Sequence, residues 1–199
     1  MIKYLFIVIF VVFISGCSTT QPPVTEYRIN SKIIKNDLQE IGCTEISLKV
    51  AQAFSSSSLM SKDMSYGEGL HKQFVFSQSQ WADSPNRVIT KEIVKLLRET
   101  KLFDNVQVSK SRSKNVWILE TNIEDFMQYF NEDSTKSHAS AVISFTLIDS
   151  DTSIVINSKT FESKVDVKTL DANGGVVALN EALYDVLAQS KEFFRGVCQ

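Results

Sequence analysis

Alternating apolar and polar positions predict a series of strands along the chain. In Phe103–Val108, Val116–Ile123 and Ala139–Ile148 about every second residue is apolar, and the second of these patterns extends toward Phe130. A period of two places the apolar side chains on one face, as in a half-buried sheet. Further strands are predicted at Ile46–Val50, Lys72–Phe76 and Ile154–Val167, the last forming a long hairpin with Ala139–Ile148.

Two other segments repeat their apolar residues with the period of a helix. Ser84-Pro85 is typical of a helix start, with serine at the N-cap and proline at the first helical position. One apolar stripe follows, formed by Ile89, Ile93, Leu96 and Leu97, and charged residues occupy the opposite face: Arg87, Lys91, Glu92, Lys95 and Arg98. A second amphipathic helix is predicted from Val176 to about Arg195, after Gly174-Gly175, which we expect to end the strand region.

The order of these elements favours one two-layer α/β (α+β) domain. Residues 55–69 are rich in serine and glycine and lack a clear period, so we predict mostly loop there, with a short strand near Met64–Tyr66. Two helices alternating irregularly with five or more strands predict a mixed, mostly antiparallel sheet that carries both helices on one face.

The amino terminus has a different pattern. Lys3 precedes an unbroken apolar run from Tyr4 to Ile14, which is too short to span a bilayer comfortably and is typical of a signal peptide. The run ends in Ile14-Ser15-Gly16-Cys17, which matches a lipobox. We therefore predict a signal peptide over residues 1–16, fatty acyl chains such as palmitate on Cys17, a lipidated tether over 17–26 and a domain over 27–199. The alternative is an ordinary signal peptide followed by a chance cysteine.

The net charge of the chain bears on its possible partners, and the residue after Cys17 bears on the membrane to which it is anchored. The formal net charge of −2 gives no indication of a nucleic-acid partner. Ser18 takes the place of the aspartate that commonly retains lipoproteins in the inner membrane. We therefore expect a lipid-anchored protein that faces the periplasm, on the outer rather than the inner membrane.

Two cysteines remain in the domain after lipidation. Cys43 and Cys198 form an even pair in an oxidising compartment, where a disulfide is expected. Such a bond would tie the first long strand to the carboxyl terminus. The alternative is two free thiols, one of them on a frayed tail.

No set of residues in the sequence points to catalysis, a metal or a cofactor other than the covalent lipid. Neither a nucleophile elbow nor a phosphate-binding glycine loop is found, and His71 and His138 lie in unrelated elements. Lys110, Arg112 and Lys114 form a compact basic turn. This turn could contact lipid headgroups or an acidic partner, or it could be a hairpin tip kept soluble by its charge.

Trp81 has two interpretations. It precedes the Ser84-Pro85 helix start in a loop that also contains Asp83. An indole at this position could close one end of the core. It could instead lie in a partner interface, where tryptophan is enriched.

Several features occur in a fixed order along the chain: the lipobox at Cys17, Tyr27-Arg28-Ile29, the strand Ile46–Val50, the aromatic strand Phe74–Phe76, the motif Trp81-Ala82-Asp83-Ser84-Pro85, the helix Ile89–Leu97, Leu102-Phe103, the region Val116–Val167 with its long hairpin, and the helix Val176–Phe194. This ordered set resembles the ABC-type transport auxiliary lipoprotein family. The resemblance covers essentially the whole mature domain, although the serine-rich segment Ser55–Ser58 departs from the pattern.

The resemblance implies a role rather than a reaction. Such lipoproteins are accessory parts of lipid transport systems that contain an ABC permease, an ATPase and a periplasmic MCE-domain protein. The lipoprotein would dock the MCE protein at the outer membrane, and a homo-oligomer is plausible because some relatives form rings. Two alternatives stay open: an envelope-assembly lipoprotein that serves a cell-wall synthase or an outer-membrane translocon, and an envelope hydrolase, for which the sequence shows no nucleophile–base pair.

Overall fold

A computed structural model describes residues 22–31 and 42–198 of the chain. The predicted signal peptide and Cys17 lie outside these residues. Within the two described ranges, the fold consists of a nine-stranded sheet and two α-helices. The strands are β1 (Thr25–Tyr27), β2 (Cys43–Val50), β3 (Phe54–Ser55), β4 (Asp63–Glu68), β5 (Lys72–Trp81), β6 (Phe103–Val108), β7 (Trp117–Phe130), β8 (Ser137–Asp149) and β9 (Val155–Asp166); the helices are α1 (Pro85–Thr100) and α2 (Ala172–Val197).

The long strand β7 organises the sheet. Along one edge it pairs antiparallel with β8 from Trp117 to Phe130, and β8 pairs antiparallel with β9. Along the other edge β2, β3 and β4 pair with it in succession, all parallel to it. Strand β6 extends the sheet beyond β2, and β5 and β1 extend it beyond β4.

The helices cover the apolar face of this sheet and confirm the predicted fold class. Alternate residues of β8 are fully buried, from Ala139 through Phe145 to Leu147, because they face the helices. The two helices contact each other, α1 packs on β6, and α2 packs on β7, β8 and β9. The sheet is mixed and mostly antiparallel, since the longest pairings, β7 with β8 and β8 with β9, are antiparallel.

Helix α1 begins where the sequence predicts, but its cap differs in detail. Pro85 occupies the first turn and Ser84 the N-cap position, yet the Ser84 side chain makes no capping hydrogen bond. Its backbone N–H donates instead to the Asp83 carboxylate at 2.9 Å. Ile89, Ile93 and Leu97 are fully buried, as the predicted stripe requires.

The prediction for Gly174-Gly175 is wrong, because both glycines lie in the first turn of α2. The Asp171 carboxylate accepts a hydrogen bond from the Gly174 backbone N–H at 2.7 Å, so the helix begins earlier than its apolar period suggests. A Cβ atom on Gly175 would lie 2.0 Å from Oε1 of Gln128. The Gln128 side chain would have to move to admit a larger residue, so the glycine lets α2 lie close to β7.

Two short strands were not predicted. Thr25 and Glu26, assigned by the sequence to the tether, pair with β5 as part of β1. Phe54 and Ser55 form β3, and the short strand predicted near Met64–Tyr66 extends over Asp63–Glu68. Strands of two or three residues are too short to show a period.

A disulfide joins the start of β2 to the end of α2. The structure bonds Cys43 to Cys198 with their Cα atoms 4.9 Å apart and 155 positions apart in sequence. Cys43 is buried. The bond therefore links the first long strand to the last described residue.

Candidate functional site

A basic groove runs along one side of helix α1. It has a volume of about 470 Å³ and lies between α1 and the ends of β2 and β6. Val50, Val94 and Val108 provide apolar lining, and the cations are Arg87, Lys91, Lys95, Arg98 and Lys110. The four helical cations recur about every four residues, so they form one stripe along the helix.

Carboxylates at the rim offset part of the positive charge in this groove. Asp83 pairs with Lys91 at 3.0 Å and with Arg87 at 3.4 Å, and Glu92 pairs with Lys95 at 3.7 Å. The hydrogen bond from Lys91 lowers the pKa of Asp83, so this carboxyl stays ionised. Glu99 is the one carboxylate in the lining itself. The five cations thus outnumber these three carboxylates, and the groove carries a net positive charge.

Arg98 is fixed more firmly than its neighbours. Its Nε and Nη2 atoms donate hydrogen bonds of 3.1 and 2.9 Å to the carbonyl of Val106 in β6. The guanidinium is therefore held against the sheet at one side of the groove.

The structure divides the predicted basic turn. Lys110 lines the groove beside α1, whereas Arg112 and Lys114 lie in the same turn and do not line it. In the sequence, the cations of α1 indicate only the exposed face of a helix. Their four-residue spacing was visible in the sequence, but their proximity to Lys110 depends on the packing of α1 against β6.

Trp81 lies in the core, so its interpretation as a partner-interface residue is wrong. The side chain is 3% exposed and packs against Phe126, with 6.1 Å between the ring centroids. The alternative, in which the indole closes part of the core, is the one that fits. Its backbone N–H also donates to the Lys62 carbonyl at 2.7 Å.

A second surface, the aromatic patch, consists of Tyr66, Phe74, Phe76 and Phe130 around the β4–β5 hairpin. The ring of Tyr66 lies 4.4 Å from that of Phe76 and 5.5 Å from each of the other two, measured between centroids. Phe74 is 42% exposed, and Leu70 at the tip of the hairpin is 88% exposed. Clustered apolar exposure of this kind is typical of a binding surface.

A third cluster consists of polar groups on the face of β7 and β8 that points away from the helices. The Tyr129 hydroxyl donates to Asp125 at 2.9 Å, and its ring stacks on His138 at a centroid distance of 5.4 Å. Burial raises the pKa of Asp125, against the opposing effect of hydrogen bonds from Ser140 and Tyr129. Burial and the neighbouring carboxylate also raise the pKa of Tyr129, while burial lowers the pKa of His138.

The raised pKa of Asp125 predicts a pH-dependent stability effect. A carboxyl whose pKa is higher in the folded state stabilises the fold at acidic pH, and this contribution is lost as pH rises through the folded pKa. Asp125→Asn keeps an oxygen that accepts from Tyr129 but cannot ionise. The stability of the variant relative to the wild type should therefore increase between about pH 4 and pH 7.

Urea unfolding at both pH values measures this difference. Asp133→Asn is a matched control of opposite sign, because hydrogen bonds from Thr135 lower the pKa of Asp133. Its stability relative to the wild type should decrease over the same range. If the free energy of unfolding of Asp125→Asn differed from that of the wild type by the same amount at both pH values, burial would not raise the pKa of Asp125 as proposed.

Neither described α-helix combines the length and apolar character that crossing a membrane requires. Among residues 22–31 and 42–198, no group of three or more His, Cys, Asp or Glu side chains is placed to hold a metal ion. The surfaces that stand out in these ranges of the chain are a basic groove and an aromatic patch, which are features of a domain that binds ligands or partners.

The sequence matches the model of a known family, described as the ABC-type transport auxiliary lipoprotein component, over residues 42–189. Because this match covers most of the chain, the protein belongs to the ABC-type transport auxiliary lipoprotein family. Members of this family are lipoproteins that serve as auxiliary components of ABC-type transport.

Solved structures support the fold. A protein from Xanthomonas campestris matches with a TM-score of 0.78 and 15% identity, over 87% of this chain and 96% of its own. An uncharacterized protein matches with a TM-score of 0.64 and 11% identity, over 88% and 99%. At these identities the likeness concerns the fold alone. No curated protein was found to match the sequence.

Proposed function

We propose that this protein is the non-catalytic lipoprotein of an MCE-type ABC lipid transport system and docks the periplasmic MCE protein at the outer membrane. The observation that carries the proposal is the family match over residues 42–189. The lipobox at Ile14–Cys17 and the serine at position 18 support an outer-membrane anchor on Cys17. Its partners would be the MCE protein and, through it, the permease and the ATPase.

The aromatic patch is the surface that we assign to the MCE protein. Buried Trp81 is not available to a partner, whereas Phe74 and Leu70 expose large apolar side chains. Charged Glu68 and Lys72 lie beside them and pair at 2.8 Å. An apolar centre with a polar rim is the usual composition of a protein interface.

Capture of the MCE protein from detergent-solubilised envelopes, with the lipidated full chain as bait, tests this role. Wild-type bait should recover an MCE protein, and Phe74→Ser should weaken the recovery about tenfold, because exposed aromatic residues often dominate binding energy. Phe54→Ser is the matched control, since Phe54 is 71% exposed on the opposite face of the sheet. It should leave recovery unchanged.

Two outcomes would contradict the proposal. Recovery of a cell-wall synthase or a translocon component without an MCE protein would favour the role in envelope assembly. Equal loss of recovery with Phe74→Ser and Phe54→Ser would overturn the assignment of the aromatic patch.

A further inference from the structure

We propose that the basic groove along α1 binds the phosphate headgroup of an anionic phospholipid at the membrane to which the chain is tethered. The proposal rests on the lipid anchor of the proposed function. The ligand differs from the cargo of the transport system: it is a headgroup of the supporting bilayer, bound to orient the domain.

The lining of the groove fits the polar end of a phospholipid. Lys91, Lys95 and Lys110 are placed around apolar Val94 and Val108. Ammonium groups attract a phosphate, and the valines offer contacts for the glycerol and the first methylene groups of the acyl chains. A volume of about 470 Å³ lies within the range of small-ligand pockets.

The existing ion pairs leave these cations available. Arg87 and Lys91 have side chains that are 61% and 64% exposed, and both share the Asp83 carboxylate. Exposed pairs of this kind contribute little free energy. A phosphate can therefore join or replace them at small cost, while Arg98 remains anchored on the Val106 carbonyl.

The path of the amino-terminal chain favours a lipid over a protein as the occupant. The Ala82 backbone N–H donates to the carbonyl of Tyr27 at 2.7 Å, and Asp83, the next residue, pairs with Lys91. The carboxyl end of β1 therefore lies beside the first turn of α1, and Thr25, where the tether joins the strand, pairs with Ser79 two residues earlier in β5. Only residues 18–24 separate the proposed lipidated cysteine from β1, which limits the distance between Cys17 and Thr25 to roughly 28 Å.

The edge of β6 also disfavours a peptide that would add to the sheet there. The carbonyl of Val106 already accepts both hydrogen bonds from Arg98. A strand added at this edge would have to displace the guanidinium. An acidic peptide in the groove is therefore the competing occupant that the experiment must exclude.

Binding of short-chain lipids to the lipidated full chain in neutral detergent tests the proposal. The probes are dihexanoyl phosphatidylglycerol, dihexanoyl phosphatidylcholine, inorganic phosphate and a hexaglutamate peptide. Phosphatidylglycerol should bind about tenfold more tightly than each of the other three, because it combines a net negative headgroup with apolar chains.

The groove variant is Lys91→Gln/Lys95→Gln/Lys110→Gln. It should weaken phosphatidylglycerol binding at least about tenfold, since each cation near a lipid surface contributes to the attraction. The control variant Lys136→Gln/Lys164→Gln/Lys168→Gln removes the same charge around β8 and β9, outside the groove, and should bind within about twofold of the wild type. Thermal unfolding of both variants verifies that they fold.

Three results would overturn the proposal: equal binding of the two lipids, unchanged binding by the groove variant, or tighter binding of hexaglutamate or inorganic phosphate than of phosphatidylglycerol. Capture of the MCE protein separates this inference from the proposed docking role. The groove variant should still recover the MCE protein, because the aromatic patch is intact. Loss of recovery by the wild type would refute docking without affecting the lipid measurement.

Discussion

Replacing Cys43 and Cys198 together by alanine is expected to lower the free energy of unfolding by roughly 2–5 kcal/mol. The bond closes a loop of 155 positions, so its removal gives the unfolded chain much more freedom. In the chain-entropy account a loop of this length corresponds to about 5 kcal/mol, and measured values are often smaller. For a chain of this size the melting temperature should fall by about 10 °C.

Reduction of the wild-type protein provides the control. Dithiothreitol should lower the melting temperature of the wild type toward that of the double variant and leave the variant unchanged. A wild type that is insensitive to reductant, with both cysteines accessible to a thiol reagent after unfolding, would show that the pair is not bonded in the native protein.

Replacing Cys17 by alanine is expected to abolish the attachment of the protein to the membrane through acyl chains. Each buried methylene group of an acyl chain contributes roughly 0.8 kcal/mol, and two or more chains give stable anchoring. A variant without the thiol cannot be acylated at this position. Envelope fractionation should therefore find the wild type in the membrane fraction in its acylated form. No acylated form of the variant should be found in that fraction.

Ser18→Ala is the matched control, because it alters the neighbouring residue and leaves the thiol in place. This variant should remain membrane-bound. Mass spectrometry of the wild-type amino terminus should show acyl groups on the first residue. A leader that is still attached, or a cysteine without acyl groups, would remove the basis for the anchor and for the headgroup site.

Sequence periodicity predicted the sheet best where one face of a strand is buried. The bounds of β6 match the predicted Phe103–Val108, and those of β8 and β9 differ from the prediction by one or two residues at each end. Strand β8 packs one face under the helices, so its alternate side chains are apolar, whereas β9 buries only Phe161 and was predicted as the hairpin partner of β8. The start of α2 was missed because its first residues are not apolar. Asp171 caps the helix and Gly174 and Gly175 pack closely against neighbouring segments, and neither role produces an apolar period in the sequence.

The candidate surfaces depend on contacts between distant segments of the chain. The sequence singled out Lys110, but only the packing of α1 on β6 brings it near Lys91 and Lys95. Trp81 shows the same limit, since a tryptophan before a helix fits a core or an interface equally well. Its contact with Phe126, 45 positions later, decides between them.

The central position of β7 constrains the order of assembly. Strands β2, β3 and β4 all precede β7 in the chain, and each takes its place in the sheet by pairing with it. In a polypeptide made from its amino terminus onward, these pairings must wait until Trp117–Phe130 has emerged. Until then β2, β3 and β4 lack the β7 partner that joins them into one sheet, although β2 can already pair with β6 and β4 with β5. A factor that shields exposed apolar segments would therefore act chiefly during that interval.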